Sequence, residues 1–469
     1  MKTQATWWLP TALILICCGV LLTAVACTSS NAKPSSGAFV TVWKGVAGEP
    51  LKIPIVGNYS VTWYAADAPN DRHTETVSVI PESDTLFTHP YTFTPPRDGE
   101  YVVEVGPEGV EYMQMWAQDR EGEEYHFDSA KALLRVEQFG KVQWKNMKAM
   151  FAGCENMTFV QTIDIPDLSE VRDMQKMFCG CRAFNSPLEH WDVSHVTDMS
   201  GMFAGCTVFN QPLERWDVSH VTDMSEMFAG CDKFNQPLER WDVSRVTDMH
   251  EMFFSCDLFN QPLEGWDVSH VTDMSAMFFK CAIFNQPLER WNVGQVGNMS
   301  CMFSLSPFNH PLACWDVSHV TDMSGMFDNT AFNQPLERWD VSQVKKMNEL
   351  FYNCSAFNQP LSGWNVSQVE TMENMFCGCS SFNQPLEAWD VSRVTNMKEM
   401  FASCTSFDQP LAEWDVSRVE DMRGMFAACG KFNQPLDAWK VRNPIWMSGM
   451  FEDCPAGNQP AVKQWKSMD

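Results

Sequence analysis

Basic residues are scarce in this chain. Its 469 residues include 33 lysines and arginines against 59 aspartates and glutamates, which gives a formal net charge of −26. Nucleic acids and anionic lipid surfaces are bound mainly through clusters of Lys and Arg. The composition therefore argues against nucleic-acid binding and against adhesion of the folded chain to an anionic membrane. The acidic surplus is typical of a surface that keeps a long chain soluble, and the functional alternative is a surface for basic partners or Ca²⁺.

Catalytic motifs are also missing from the sequence. It contains no HExxH motif, no phosphate-binding loop and no paired nucleophile and base. The adjacent Ser194 and His195 belong to a repeat, and a catalytic group would not need many copies. We therefore expect a protein that is not an enzyme and that has no cofactor and no metal site.

What the sequence has in abundance is one repeat of about 25 residues. The copy at residues 216–240 reads Trp-Asp-Val-Ser-His-Val-Thr-Asp-Met-Ser-Glu-Met-Phe-Ala-Gly-Cys-Asp-Lys-Phe-Asn-Gln-Pro-Leu-Glu-Arg. Its tryptophan recurs at Trp191, Trp216, Trp241, Trp266, Trp291, Trp315, Trp339, Trp364, Trp389, Trp414 and Trp439. A period of this length is typical of a solenoid, in which each unit buries its apolar face against its neighbours.

Two hydrophobic periods follow each other within one unit. Alternation over Trp216–Ser219 predicts a strand, and steps of three and four residues over Val221–Cys231 predict a short helix. Thr222 and Asp223 stand where a helix N-cap is expected. The unit then turns at Pro237, which has no backbone N–H for a strand ladder. We therefore predict an α/β repeat solenoid of the leucine-rich-repeat type, with parallel strands on one face and short helices on the other.

The array has irregular members and irregular ends. The units that begin at Trp291 and Trp315 have 24 residues, and Ser306 or Thr330 stands near the place of the repeat cysteine. Atypical units begin and end the array, as caps require. We predict that residues 141–469 form about 12–13 units with atypical capping ends.

A region of different character precedes the array. Leu51–Val56, Tyr59–Trp63 and Tyr91–Phe93 have the alternation and β-branched residues of strands, and Asp98–Gly99 makes a turn into Tyr101–Val105. This spacing predicts a small all-β sandwich domain over residues 38–140. The region contains no cysteine, so no disulfide can stabilise it. We expect it to serve as a stalk and N-terminal cap for the array.

The N-terminus follows the plan of an export signal. A basic Lys2, an apolar stretch over Thr11–Ala26 and small residues before Cys27 predict a signal peptide at residues 1–26. The small residues before the cysteine resemble a bacterial lipobox, which implies that Cys27 is lipidated. Residues 27–37 would then be a flexible linker. Ordinary signal peptidase is the alternative and would leave a soluble protein.

The repeat as a whole resembles the BspA-type leucine-rich-repeat surface proteins of bacteria. The resemblance lies in the Trp-Asp-Val-Ser-x-Val-Thr-Asp-Met-x-x-Met-Phe units and Phe-Asn-Gln-Pro-Leu corners over about residues 144–459, and in Phe39–Lys44, Asp98–Tyr101 and Phe139–Trp144 upstream. Within that family it resembles the subfamily of 25-residue repeats that is abundant in mycoplasmal and gut-bacterial lipoproteins. The family implies display at the cell surface and, for some members, adhesion. It implies no catalytic residue.

Most of the 18 cysteines occupy one position of the repeat. These are Cys154, Cys181, Cys206, Cys231, Cys256, Cys281, Cys354, Cys379, Cys404, Cys429 and Cys454. Export makes disulfides between neighbouring units an option. We favour a column of buried free thiols, because every copy lies beside Met and Phe at an inward position.

Two outward positions remain as candidates for recognition. We define the candidate binding face by an Asp column and by the His or Arg that follows three residues later in many units: Asp192, His195, Asp217, His220, Asp242, Arg245, Asp267, His270, Asp316, His319, Asp340, Asp390, Arg393, Asp415 and Arg418. One interpretation is an Asp/Arg surface lattice, in which Arg215 or Arg240 relieves repulsion between carboxylates. The other is a face that binds a partner or Ca²⁺.

Together these patterns predict an exported lipoprotein at the bacterial cell surface, held to the membrane only by its N-terminal lipid. Its array would bind surface proteins or glycans of a host or of neighbouring bacteria. The alternative is a structural spacer in the envelope without a specific ligand.

Overall fold

A computed structural model of the protein describes residues 37–79, 90–118, 124–161, 163–441 and 445–455. The predicted signal peptide, Cys27 and nearly all of the predicted linker lie outside these residues. In the described part of the chain the only helix is a short 3₁₀ helix at Asp128–Ala132. No helix in that part is long and apolar enough to cross a membrane.

Among the described residues, the regular strands all lie between residues 39 and 159. Their bounds are β1 Phe39–Gly45, β2 Leu51–Ile53, β3 Ile55–Ala65, β4 His73–Val79, β5 Tyr91–Phe93, β6 Gly99–Val105, β7 Val110–Met113, β8 Trp116–Gln118, β9 Glu124–His126, β10 Leu133–Gln138 and β11 Thr158–Phe159. One seven-stranded sheet has the order β11-β10-β1-β6-β3-β4, with β7 also paired to β3. The pairs β2–β5 and β8–β9 form two small sheets. This region is therefore all-β, with one dominant sheet.

The array buries the same side chains in each unit. In the unit 216–240 the inward residues are Trp216, Val218, Val221, Met224, Met227, Phe228, Cys231, Phe234 and Leu238, all at most 4% exposed. Phe228 stacks on Phe203 and Phe253 of the adjoining units, with ring centroids 5.6 and 5.7 Å apart. The core positions predicted from the repeat are thus confirmed. They form one continuous column of stacked rings and sulfur-containing side chains.

The predicted helices on one face of the array are absent from the described residues, so the α/β solenoid prediction is wrong. Over Val221–Cys231 the chain forms consecutive turns, with Glu226 at a φ of 55° and Gly230 at 68°. An α-helix cannot contain such residues, because its backbone has negative φ throughout. The steps of three and four residues that suggested a helix instead place Met224, Met227 and their neighbours in the core through turns.

Hydrogen bonds between units replace the expected bonds within a helix. The Glu226 N–H donates to the His250 carbonyl at 2.8 Å, and Phe228 N–H to Met252 at 2.9 Å. Alternate residues close turns inside the unit, as when Met227 N–H donates to Met224 at 3.2 Å. Each coil is therefore bonded to the next coil through its backbone. This satisfies peptide groups that a helix would have paired internally.

The predicted strand at the tryptophan is also wrong. Residues 216–219 are not in a strand, and the parallel backbone bridges run through the Asp223 position, linking Asp198 to Asp223 and Asp223 to Asp248. Trp216 instead donates its indole N–H to the carbonyl of Leu188 at 2.9 Å. The backbone ladder of the array therefore lies at the Asp223 position, seven residues after the tryptophan at which the strand was predicted.

The N-terminal sheet continues directly into the array. Strand β11, which belongs to the first unit, pairs in parallel with β10. Phe139 lies 5.3 Å from Phe159 and 5.5 Å from Trp191, edge to face. One apolar cluster consequently runs from Phe39 to Met450. The sheet covers the apolar end of the first unit, which an isolated array would leave open to water.

The two short units are closed by a buried hydroxyl group. In a full unit the Phe234 N–H donates to the Cys231 carbonyl at 3.0 Å. In the 24-residue unit that begins at Trp291, the Phe308 N–H donates to Ser306 Oγ at 3.4 Å. The Ser306 hydroxyl in turn donates to the Phe303 carbonyl at 2.7 Å. Thr330 makes the same two bonds in the next unit. The deletion and the loss of cysteine are therefore one structural change.

Candidate binding surfaces

The predicted Asp column lies on the exterior and shapes its own turn. One carboxylate oxygen of each Asp accepts the N–H of the residue two positions later, at 3.0–3.2 Å. This applies to Asp192, Asp217, Asp242, Asp267, Asp316, Asp340, Asp390 and Asp415. A short side chain that accepts this bond mimics a backbone turn. Each of these eight Asp residues therefore has a structural function in its unit, whether or not it also binds a partner.

Hydrogen bonding lowers the pKa of most of these carboxylates. The Ser219 side chain, and then its backbone N–H, hold the pKa of Asp217 below its usual range. The same serine position lowers the pKa of Asp192, Asp242, Asp267, Asp316 and Asp415. These bonds stabilise the charged form of the carboxylate, so folding becomes linked to pH.

We expect the array to lose stability in acid because of this column. A carboxyl group whose folded pKa is depressed contributes stability above its unfolded pKa of about 3.9, and loses it as the pH falls through the folded value. Melting temperatures measured between about pH 6 and 3 should fall most at the acidic end. A variant carrying Asn at Asp192, Asp217, Asp242, Asp267, Asp316 and Asp415 should show a smaller fall.

Natural units support this substitution and provide its control. Asn292 and Asn365 accept the same backbone bond, each at 3.2 Å. The variant should therefore fold at neutral pH, at a melting temperature below that of the unmodified chain, because it lacks the stability that the charged carboxylates contribute there. An unchanged acid slope in the variant would refute the assignment of the pH dependence to this column.

The His and Arg residues of the face point to solvent. His195 Nδ1 lies 3.2 Å from Ser194 Oγ, and the corresponding distance is 3.4 Å at His220, His270 and His319. Arg393 donates to Gln368 Oε1 of the preceding unit at 2.5 Å. Arg245 and Arg418 are exposed. In the described residues no group of three or more His, Cys, Asp or Glu side chains is placed to hold a metal ion.

An Asp/Arg lattice does not form across the described array. Of Arg215, Arg240, Arg290 and Arg338, only Arg290 makes an ion pair there, with Glu264 at 3.6 Å. Solvent screening makes such an exposed pair weak. The carboxylates are instead stabilised one by one through the turns that they cap.

All eleven repeat cysteines are free thiols; ten of them are buried, and Cys454 is half-buried. The Cys231 thiol donates to the carbonyl of Phe203 in the preceding unit at 3.1 Å, and Cys256 donates likewise to Phe228 at 2.9 Å. Burial raises the pKa of the Cys231 and Cys256 thiols well above the usual range, and that of Cys354 to about 11. Because the thiolate is the reactive form, the column is poorly suited to redox or metal chemistry.

The Asn-Gln corners are also structural. The Asn210 side-chain oxygen accepts the N–H of Asn235 at 3.0 Å and the Gln236 amide at 2.9 Å. Asn235 does the same for the unit that follows. The corner therefore forms an amide ladder that fixes the spacing of the coils.

A second outward surface, which we call the apolar edge, is not among the predicted candidates. It consists of Phe254, Leu258, Phe279, Ile283 and Leu305. Leu258, Ile283 and Leu305 are 40%, 44% and 43% exposed, and the half-buried Phe254 and Phe279 stack with ring centroids 4.8 Å apart. The sequence carried a signal, because several other units have Ala or Cys at the position of Phe254 and Phe279. That signal was hidden by the regularity of the repeat.

These features define a class of protein: a solenoid of 24- and 25-residue coils with stacked aromatic columns, bonded from coil to coil through the backbone. The chain belongs to the family described as "Mycoplasma protein of unknown function, DUF285", which matches residues 145–263, 235–331, 298–380 and 357–465. These matches cover the array. No match to the chain is found among curated proteins.

Proposed function

We propose that the protein is an exported, lipid-anchored bacterial surface protein whose array binds macromolecules of a host or of neighbouring cells. The resemblance to BspA-type surface proteins implies this function, and membership of a family of repeat proteins is compatible with it. The proposal assigns no catalytic activity. Its ligands would be surface proteins or glycans.

The observation that carries the proposal is the contrast between the inside and the outside of the coil. Inward positions hold nearly the same residues in every unit, whereas the outward position of His220 holds Arg in Arg245 and Gln in Gln343. The backbone is fixed by the core and by the bonds between units. Outward residues can therefore differ without disturbing the fold, which is how repeat proteins diversify a recognition surface.

A spacer is the competing function, and the continuous core favours it. An array joined coil to coil by backbone bonds is stiff and needs no ligand to hold a distance. The two functions are separated by a binding screen of the purified full chain against matrix proteins, mucins and whole cells. Saturable binding to one member supports recognition. No saturable binding, together with an altered envelope after gene deletion, would establish the spacer instead.

The anchor is tested by a single substitution, Cys27→Ser. If Cys27 carries the lipid, the variant should appear in the culture medium, because the chain would lose its hold on the membrane. Cell fractionation with antibody detection measures this, and Cys314→Ser serves as the control at an exposed cysteine in the array. Membrane association that is equal for Cys27→Ser and the unmodified chain would count against lipidation.

A further inference from the structure

The apolar edge is not needed to build the coil. Ala204 and Ala229 occupy the position of Phe254 and Phe279 in the preceding units, and Ala402 and Ala427 occupy it in later ones. The backbone bonds are the same in both cases. Gly205 N–H donates to the Ala229 carbonyl at 2.6 Å, and Ser255 N–H donates to the Phe279 carbonyl at 2.8 Å. The coil backbone therefore forms with either alanine or phenylalanine at this position.

One member of the apolar edge departs from the residues usual at its position. Leu305 occupies the position of Gly205, Gly230, Ser255 and Lys280 in the four preceding units. Its φ of 57° is that of Ser255 and Lys280, at 54° and 56°, so the backbone is the same in these units. Leu305 is 43% exposed and therefore places a large apolar side chain in solvent where the preceding units have small or charged residues.

The shape of the apolar edge favours apolar side chains as its ligand. Phe254 and Phe279 stack on each other with an interplanar angle of 7°. One face of each ring is therefore covered by the other ring. Sugar rings stack on free aromatic faces, which this pair offers poorly. Leu258 lies four residues after Phe254, and Ile283 lies four residues after Phe279 on the next coil. Exposed aliphatic and aromatic groups clustered in this way are typical of protein–protein contacts.

The charges around the apolar edge select the partner. The Phe254 N–H donates to the Glu251 carbonyl at 3.0 Å and closes the turn between these residues. Glu226 lies beside Glu251. At the other end, the Asp328 carbonyl accepts the Leu305 N–H at 2.9 Å. Burial, and then the nearby Glu349, raise the pKa of the Asp328 carboxyl group. Lys280 is the basic residue between them. The net charge of −26 opposes a second copy of the chain as the partner.

We infer that the apolar edge is a docking site for a segment of a partner protein that carries Leu- or Phe-like side chains flanked by Lys or Arg. This inference rests on the proposed recognition function and specifies its site. The apolar side chains of the segment would cover Phe254, Phe279 and Leu305. Its basic residues would face the acidic groups at both ends and speed association.

The test compares the full chain with two variants that use residues natural to the repeat. The edge variant is Phe254→Ala, Phe279→Ala and Leu305→Gly. The control is Val208→Ser, at a side chain 41% exposed in the column of Leu258 but away from the apolar edge. The probes are three labelled synthetic peptides: one of Leu and Phe flanked by Lys and Arg, one with Glu in place of the basic residues, and one with Ser in place of the apolar residues. Fluorescence anisotropy measures their affinities.

The unmodified chain and Val208→Ser should bind the basic apolar peptide at least about tenfold more tightly than either other peptide, and the edge variant should lose about tenfold. Equal binding by the edge variant, or a preference for the acidic peptide, would overturn the inference. So would sedimentation showing a dimer that the edge variant abolishes, because the edge would then join two copies. If the macromolecule panel finds a ligand that the edge variant binds as tightly as the unmodified chain, recognition stands and this site is wrong.

Discussion

Replacing Phe253 by alanine should lower the free energy of unfolding by about 3–5 kcal/mol, whereas Phe254→Ala should lower it by about 1 kcal/mol or less. The two residues are neighbours in sequence. Phe253 is fully buried and stacks on Phe228 and Phe278, each with ring centroids 5.7 Å apart. Its loss leaves a cavity inside the aromatic column, which rings in the adjoining coils cannot fill without moving the backbone.

The small effect at Phe254 follows from the repeat itself. Alanine occupies this position in Ala204 and Ala229, so the coil accepts it. The substitution removes the stacking of the Phe254 ring on Phe279, whose centroid lies 4.8 Å away on a partly exposed surface. Urea unfolding followed by tryptophan fluorescence measures both variants. Equal decreases in stability at the two positions would contradict our assignment of Phe253 to the core and of Phe254 to the apolar edge.

Ser306→Ala should destabilise the protein by about 1–3 kcal/mol, because it leaves a buried polar group without a partner. Ser306 is 3% exposed and its hydroxyl serves two backbone groups at once. Alanine removes both bonds while changing the volume very little. The Phe308 N–H could then bond only by rearranging the shortened turn.

Ser306→Thr is the matched control for this prediction. Thr330 makes both bonds in the neighbouring short unit, at 2.7 and 3.3 Å, so threonine should retain most of the stability. Thermal and urea unfolding of the three proteins would measure the difference. Alanine and threonine variants of equal stability would show that the hydroxyl does not close the short turn.

Several features could be read from the sequence because they depend on residue type alone. The buried columns, such as Val221, Met224 and Phe228, follow from apolar residues at fixed positions. The predicted strand at Tyr91–Phe93 is present as β5, because alternation of apolar and polar residues specifies an extended segment. The apolar edge was equally visible as a departure from the repeat, but a single departing residue has no neighbours until the coils are stacked.

The prediction of helices failed for a physical reason. Steps of three and four residues describe one face of a helix, and they describe a chain of tight turns equally well. Glu226 is a favourable helix residue, yet it has a φ of 55°. Glycine at the same position in Gly201 and Gly325, with φ of 60° and 62°, was the available indication of a left-handed residue.

The sequence by itself therefore determined the repeat, its buried columns and the acidic character of the surface, because these depend only on the identity and spacing of residues. Only the tertiary structure decided where the backbone hydrogen bonds go. The carbonyl that accepts the Glu226 N–H belongs to His250, in the following coil, at 2.8 Å. An isolated unit has no such acceptor and no basis for preferring turns to a helix. Stacking of the coils supplies the acceptor and also brings Phe254, Phe279 and Leu305 to one surface.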